Sequence, residues 1–432
     1  MSRNIGNLFY VECSLWLLCS LPVIAVPKLQ FVFVAAAFLR LATLGAEGAV
    51  AIFFAGQCLV GVLEIRLGTN LPSLMITSLS CSTLLIITRM RACPLGAFFF
   101  VSMLPLLALA YVYNGGLSSV LFQRFTMMVS QSLACSLVVA SVWQYRVNVP
   151  RLLKGFLICT VACAILYFQA TAVMFTRAEI TSILDIGRIG ALTFLVVVIV
   201  SVMSNSKRDK VLLMLLGVFP LFVGALTLTR QGVFAAGLAF VVLAGKYKSL
   251  RRAVRQSTGS YLVLLIVVAI AVSTCLAALS WLPDIFRLER FTSIQSGRIG
   301  EFQRATAMFL ESPIIGHGFG AFGVRSHCAW YYPHNLVLEV LCEFGLVGIL
   351  FGLLPTIFCF AFGVYPRIGQ PSEEKVVLMG IFLFWILVSM CSYTLPHSIV
   401  CFLFLPWILR CSQDESHVFQ GHYAPLEVRQ VL

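Results

Sequence analysis

Runs of about 15 to 28 mostly apolar residues recur along the chain, each long enough for a helix to cross a hydrocarbon layer roughly 30 Å thick. Inside such a layer a backbone finds no water, so each run must satisfy its own amides and carbonyls, as an α-helix does. The runs are continuous rather than alternating, which excludes a transmembrane β-barrel. Hydrophobic residues make up 60% of the 432 and charged ones 11%, more apolar surface than a water-soluble fold could bury. The expectation is an all-α, polytopic helical membrane protein. Spans are read at 8–26, 29–45, 49–65, 71–88, 93–113, 118–142, 153–175, 189–203, 211–229, 232–245, 258–282, 335–363, 376–393 and 396–410. The first three are interrupted by Arg40 and Glu47, so 12–14 transmembrane helices is the expected range. The run from Leu8 to Val26 contains Glu12 and lacks a small-residue cleavage site, which reads as a retained first helix.

The net charge of +13 sits mainly in short loops. In a membrane protein that placement encodes orientation, so nucleic acid is not expected as a partner. Arg146, Arg151 and Lys154 lie in one loop, Lys207, Arg208 and Lys210 in a second, and Lys246, Lys248, Arg251, Arg252 and Arg255 in a third. Two spans separate each from the next, so all three share one face, the cytoplasmic one by the positive-inside rule. The opposite face receives the residues around Arg188, Arg230, the segment 283–334 and the turn at His397. That segment, about 50 residues with aromatics, glycine and mixed charge, is expected to form an ordered outer cap. The organisation is thus N-terminal spans over 1–150, central spans with outward arginines over 151–282, the outer loop at 283–334, C-terminal spans over 335–410 and a cytoplasmic tail at 411–432. Most of the fifteen cysteines fall within apolar runs and no CxxC pair occurs, so neither a disulfide framework nor a zinc site is expected.

The candidate chemistry lies on the outward face. Tyr332-Pro333-His334-Asn335 leads into an apolar helix carrying Glu339 and Glu343. A histidine at that boundary can serve as a general base for a hydroxyl, or make a single structural hydrogen bond. The two carboxylates, four residues apart, share a helix face and are expected to point into the bundle, where they orient an arginine or His334, pair with a cation, or relay protons. Arg188, Arg230 and Arg298 each have glycine beside them or one residue away. Guanidinium forks at membrane level suit a lipid-linked diphosphate; the alternative is snorkelling to the interface. A metal site from His317, His327 and His334 would need loop spacings without a supporting motif, and none is expected. A transporter of lipid-linked glycan is the competing class. Few charges lie mid-span, and no pair of interrupted helices repeats between halves.

His334-Asn335, nine residues, then Gly345-Leu346-Val347-Gly348 resembles the histidine signature of the O-antigen ligase and polymerase family at every fixed position. The segments Gly297-Arg298 through Gly320 and Thr229-Arg230-Gln231-Gly232 are similar to that family's loop and arginine elements. The resemblance spans about residues 180–350 and implies a glycosyltransferase at the periplasmic face of the bacterial inner membrane. It implies an undecaprenyl-diphosphate-linked glycan as donor, and as acceptor another lipid-linked repeat unit (polymerase) or the lipid A core (ligase). It also implies metal-independent transfer without a cofactor, and a possible chain-length regulator as partner. By position, His334 resembles the catalytic histidine, Arg188 and Arg230 the arginines on the donor diphosphate, with Arg298 as a further contact. Asn335, Glu339, Glu343, Gly345 and Gly348 would be supporting. The wording around His334 favours polymerase over ligase slightly.

Overall fold

The computed structural model describes residues 7–45, 47–48, 50–52, 147–170, 177–226, 230–256, 296–325, 332–350, 354, 357 and 372–392. Among these there are helices and no strand. The principal helices are α1 (Asn7–Ala25), α2 (Pro27–Ala42), α3 (Val149–Ala170), α4 (Arg177–Met203), α5 (Lys207–Leu226) and α6 (Arg230–Lys246). They continue with α7 (Lys248–Gln256), α8 (Ser296–Glu311), α9 (Ala321–Arg325), α10 (Leu336–Gly348) and α11 (Glu373–Ser392). Ile186–Met203 in α4 and Glu373–Cys391 in α11 are long and apolar enough to cross a membrane, and α6 with α7 would make a third across a bend of 107°. This is a helical membrane protein. The spans expected at 71–88, 93–113, 118–142, 258–282 and 396–410, most of 49–65, and the tail lie outside the described residues.

α4 is the hub, packing against α3, α5, α6 and α11. Its apolar residues from Ile186 to Val202 are buried almost throughout. Lipid tails are as apolar as these side chains, so small residues and interhelical hydrogen bonds hold such helices together. A Cβ on Gly190 would lie 2.6 Å from the Pro220 carbonyl oxygen and 2.8 Å from the Gly224 amide, so α4 and α5 touch backbone to backbone. Between α3 and α4 the hydroxyls of Thr160 and Thr193 are 2.8 Å apart. The charges that interrupt the front helices answer one another. Arg40 on α2 grips Glu12 on α1 through Nε at 2.6 Å and Nη2 at 3.1 Å, and Lys154 on α3 reaches the same carboxylate at 2.5 Å. Glu47 accepts from the Asn148 amide at 2.7 Å, joining the front of the chain to the start of α3.

The described helices refine these spans, and one expectation, the unbroken span over 335–363, needs correction. The span expected at 189–203 agrees with the apolar stretch Ile186–Met203, and the helix that carries it runs back through polar turns to Arg177. Arg188 therefore lies inside the helix α4, near the start of its apolar stretch. The described part of the outer segment contains α8 and α9, with Arg298 in the first turn of α8. The span expected over 335–363 is broken within α10, at Gly345.

The bundle has two distinguishable ends. At one, Glu374 at the start of α11 accepts from the Val147 amide at 2.7 Å, just ahead of α3. The α4–α5 turn with Lys207 and the basic helix α7 also lie there, by the alternation of α4, α5 and α6. At the other end the last turn of α11 offers two carbonyls. Cys391 accepts from Gln231 Nε2 at 3.5 Å, and Met390 accepts from Asn335 Nδ2 at 3.1 Å. The start of α6 and the start of α10 therefore meet at one place. Substituting Gly190→Ala should part α4 from α5 and lower stability by about 1–3 kcal/mol in thermal unfolding of the detergent-solubilised protein. Gly237→Ala, which meets nothing within 4 Å, should stay within about 0.5 kcal/mol of the parent.

Candidate active site

α10 is stitched to the segment after α8 by an exchange of backbone hydrogen bonds. Gly345 has φ 62 and ψ −153, which interrupts the helical ladder. The Cys342 and Glu343 carbonyls accept from the amides of His317 (3.1 Å) and Gly318 (2.7 Å). In return the Leu346 and Val347 amides donate to Pro313 (2.8 Å) and Ile314 (3.0 Å). A Cβ on Gly345 would lie 2.5 Å from the Ile314 oxygen, and one on Gly316 (φ 67) 2.4 Å from the Glu343 carbonyl carbon. No L side chain fits either position, since each combines a left-handed backbone with a backbone neighbour. Gly348, the second glycine of the signature, is packed instead by side chains: its Cβ would meet Phe344 at 2.5 Å and Val340 at 2.8 Å.

Asn335 caps this helix. Its Oδ1 accepts from the Leu338 amide at 3.0 Å while Nδ2 holds the Met390 carbonyl, so one side chain fixes both the start of α10 and its register against α11. His334 immediately precedes it with φ 53, the one non-glycine residue with positive φ among those described. Such a backbone is costly for an L residue and persists only where its surroundings enforce it. His334 is 7% exposed. Its ring lies against Tyr332, centroids 4.4 Å apart, and Nε2 is 3.9 Å from Oε2 of Glu301 on α8. Glu339 and Glu343 are fully buried in α10.

Arg188 is buried in α4 at 4% exposure. A Cβ on Gly232 would lie 3.4 Å from the Arg188 Cα, so the first turn of α6, which begins at Arg230, rests on the turn of α4 that carries Arg188. Gln231, from that same first turn of α6, and Asn335, the neighbour of His334, share the last turn of α11. Arg188, Arg230 and His334 are thereby gathered at one end of the bundle by backbone position. The glycines beside Arg188 and Arg230 serve close approach of helix to helix: Gly190 meets α5 and Gly232 meets α4. Arg298 lies one turn ahead of Glu301 on α8.

Residues 215–353 match the family model described as O-Antigen ligase. The match covers about a third of the chain, and this region is similar to the O-antigen ligase family, in agreement with the histidine signature. No match was found among curated proteins. The O-antigen ligase match takes in Arg230, Arg298, His334 and the whole of α10, while Arg188 lies ahead of it on the hub helix. The likeness of this region is consistent with a glycan-transferring membrane enzyme.

Within the matched residues 215–353, sequence reasoning missed Glu301. It directly follows the Gly297-Arg298-Ile299-Gly300 element, and the available signal was a lone acid one helical turn beyond Arg298; nothing local says that it turns toward a histidine 33 positions later. His317 takes a structural part. Arg325 Nη1 contacts its Nδ1, and because a guanidinium only donates, that nitrogen accepts and Nε2 carries the proton, donating to the Met308 carbonyl at 2.7 Å. Arg325 also reaches Glu311 at 3.1 Å, so the set locks α9 onto the end of α8. Gly345→Ala and Gly316→Ala should each cost more than about 2 kcal/mol of stability, read as a lower thermal midpoint and poor accumulation in the membrane. Gly300→Ala, with open space at its Cβ, should do neither.

Proposed function

We propose that the chain is an inner-membrane glycosyltransferase that uses an undecaprenyl-diphosphate-linked glycan at the periplasmic face and joins repeat units into a surface polysaccharide. The observation that carries the chemistry is His334: a buried imidazole on a left-handed backbone, 3.9 Å from a buried carboxylate, at the bundle end that holds Arg188 and the start of α6. The orientation rests on loop charge, since Lys207, Lys210 and α7 lie at the opposite end.

In this reading the acceptor hydroxyl gives its proton to His334 as its oxygen attacks the anomeric carbon. The bond from that carbon to the diphosphate oxygen breaks, and the lipid diphosphate leaves with the electron pair. Arg188, Arg230 and Arg298 would hold the diphosphate and offset its growing charge. Glu301 would orient the imidazole with Nε2–H toward the carboxylate and Nδ1 bearing the lone pair, and stabilise the imidazolium once formed. Asn335, Gly345 and Gly348 hold the histidine's backbone, and Glu339 and Glu343 supply buried negative charge behind it. A ligase reading, with lipid A core as acceptor, is favoured by the description of the matched family.

Purified protein supplied with lipid-linked repeat units and no ion gradient should lengthen them. Product that forms only when lipid A core is added would establish the ligase instead, and movement of the lipid across a bilayer without a new glycosidic bond would make the chain a transporter. His334→Ala should lower transfer by about 10²- to 10⁴-fold while the protein still inserts; undiminished transfer would remove the histidine from the mechanism. For Glu301→Gln, kcat should fall by about tenfold or more with KM for the donor little changed, and Glu301→Asp should recover part of it. Arg188→Gln should act mainly on KM.

A further inference from the structure

The basic segment after α6 is more than a topology signal. α7 turns by 107° from the axis of α6 and lies across the end of the bundle remote from His334. Its two sides differ sharply. Tyr247 and Leu250 are buried, with Ala253 and Val254 partly buried against the main core, so the apolar side is covered by protein. Lys246, Lys248, Arg251, Arg252 and Arg255 are all exposed. Lys207 and Arg208, on the first turn of α5 at the same end, are exposed as well. No aspartate or glutamate occurs in the sequence between Asp209 and Asp284; the acids that α5 and α11 bring to this end, the buried Asp209 with Glu373 and Glu374 at the start of α11, are outnumbered by the seven exposed cations.

Such a density of charge cannot enter hydrocarbon, and the bend of 107° keeps it out. The helix does not need lipid for its apolar side, which distinguishes it from an amphipathic helix that binds by insertion. What it offers outward is a row of cations at the level where a span ends and headgroups begin. Phosphodiester oxygens there complement it, each lysine or arginine near an anionic surface contributing favourably.

We propose that the outer face of α7, with the first turn of α5, is a docking site for the headgroups of anionic phospholipids in the leaflet at that end of the bundle. Because α7 is continuous with α6 and packs on α4, the lipid contact sets the depth of the two helices that carry Arg230 and Arg188.

The test uses the full chain in nanodiscs of phosphatidylcholine and phosphatidylglycerol in equal parts, with the lipids retained after release counted by native mass spectrometry. The parent should retain phosphatidylglycerol preferentially, and Lys248→Gln/Arg251→Gln/Arg252→Gln should lower that preference by about fivefold or more. Arg251→Lys/Arg252→Lys, which keeps the charge, should retain it. If the triple variant does not accumulate, Arg252→Gln alone should show a smaller loss in the same direction. Equal retention of the two lipids by the parent, or an unchanged preference in the glutamine variants, would overturn the proposal. Protection of the basic face only when an acidic polypeptide is added would assign the surface to a protein partner. Glycan transfer is not the readout, so failure here leaves the chemistry at His334 untouched.

Discussion

Four backbone hydrogen bonds between α10 and residues 313–318 hold the candidate site together. Breaking a buried helix leaves amides and carbonyls that must find partners elsewhere. Here the break at Gly345 exposes them to another peptide segment, which returns as many bonds as it takes. The geometry works because Gly345 and Gly316 pass each other with no side chain between them. Through this exchange α8 and α9 are fastened to α10, and α8 carries Glu301 to the histidine at the start of α10. A histidine on a left-handed backbone cannot be held by its own short segment. It is held by Asn335 below, Tyr332 beside it and the stitched cap around it.

The bundle beneath supplies a rigid base. α4 touches most of its neighbours through small residues and hydroxyls rather than through a hydrophobic drive, which a lipid solvent does not provide. That close approach lets Arg188 be buried within a helix and still lie against the first turn of α6. The front helices follow a different rule. Their charges would be costly singly, and Glu12 on α1 is shared between Arg40 on α2 and Lys154 on α3, which ties the three helices together.

Much of this was legible before any coordinates. Long apolar runs demand helices, and loop charge separates the basic turns from the segment with His334. The spacing from His334-Asn335 to Gly345 and Gly348 pointed to the family that residues 215–353 match. The boundaries were less legible. Hydropathy reports where lipid begins, near Ile186 in α4, and does not show that the helix runs back through polar turns to Arg177. The glycines near the arginines could have admitted a ligand or a neighbouring helix, and a linear pattern cannot distinguish the two; at Gly190 and Gly232 the neighbour is a helix.

Sequence alone therefore established a helical membrane chain, the end at which its basic loops gather, and a histidine worth attention, because burial in lipid and charge at its border act on each residue by its own chemistry. It could not establish that Glu301 faces His334, that Gly345 breaks its helix to bind Ile314, or that Gln231 and Asn335 share the end of α11. Those are contacts between segments separated by tens of residues or more. They exist only once the helices have packed, since packing, not local preference, determines which side chains meet.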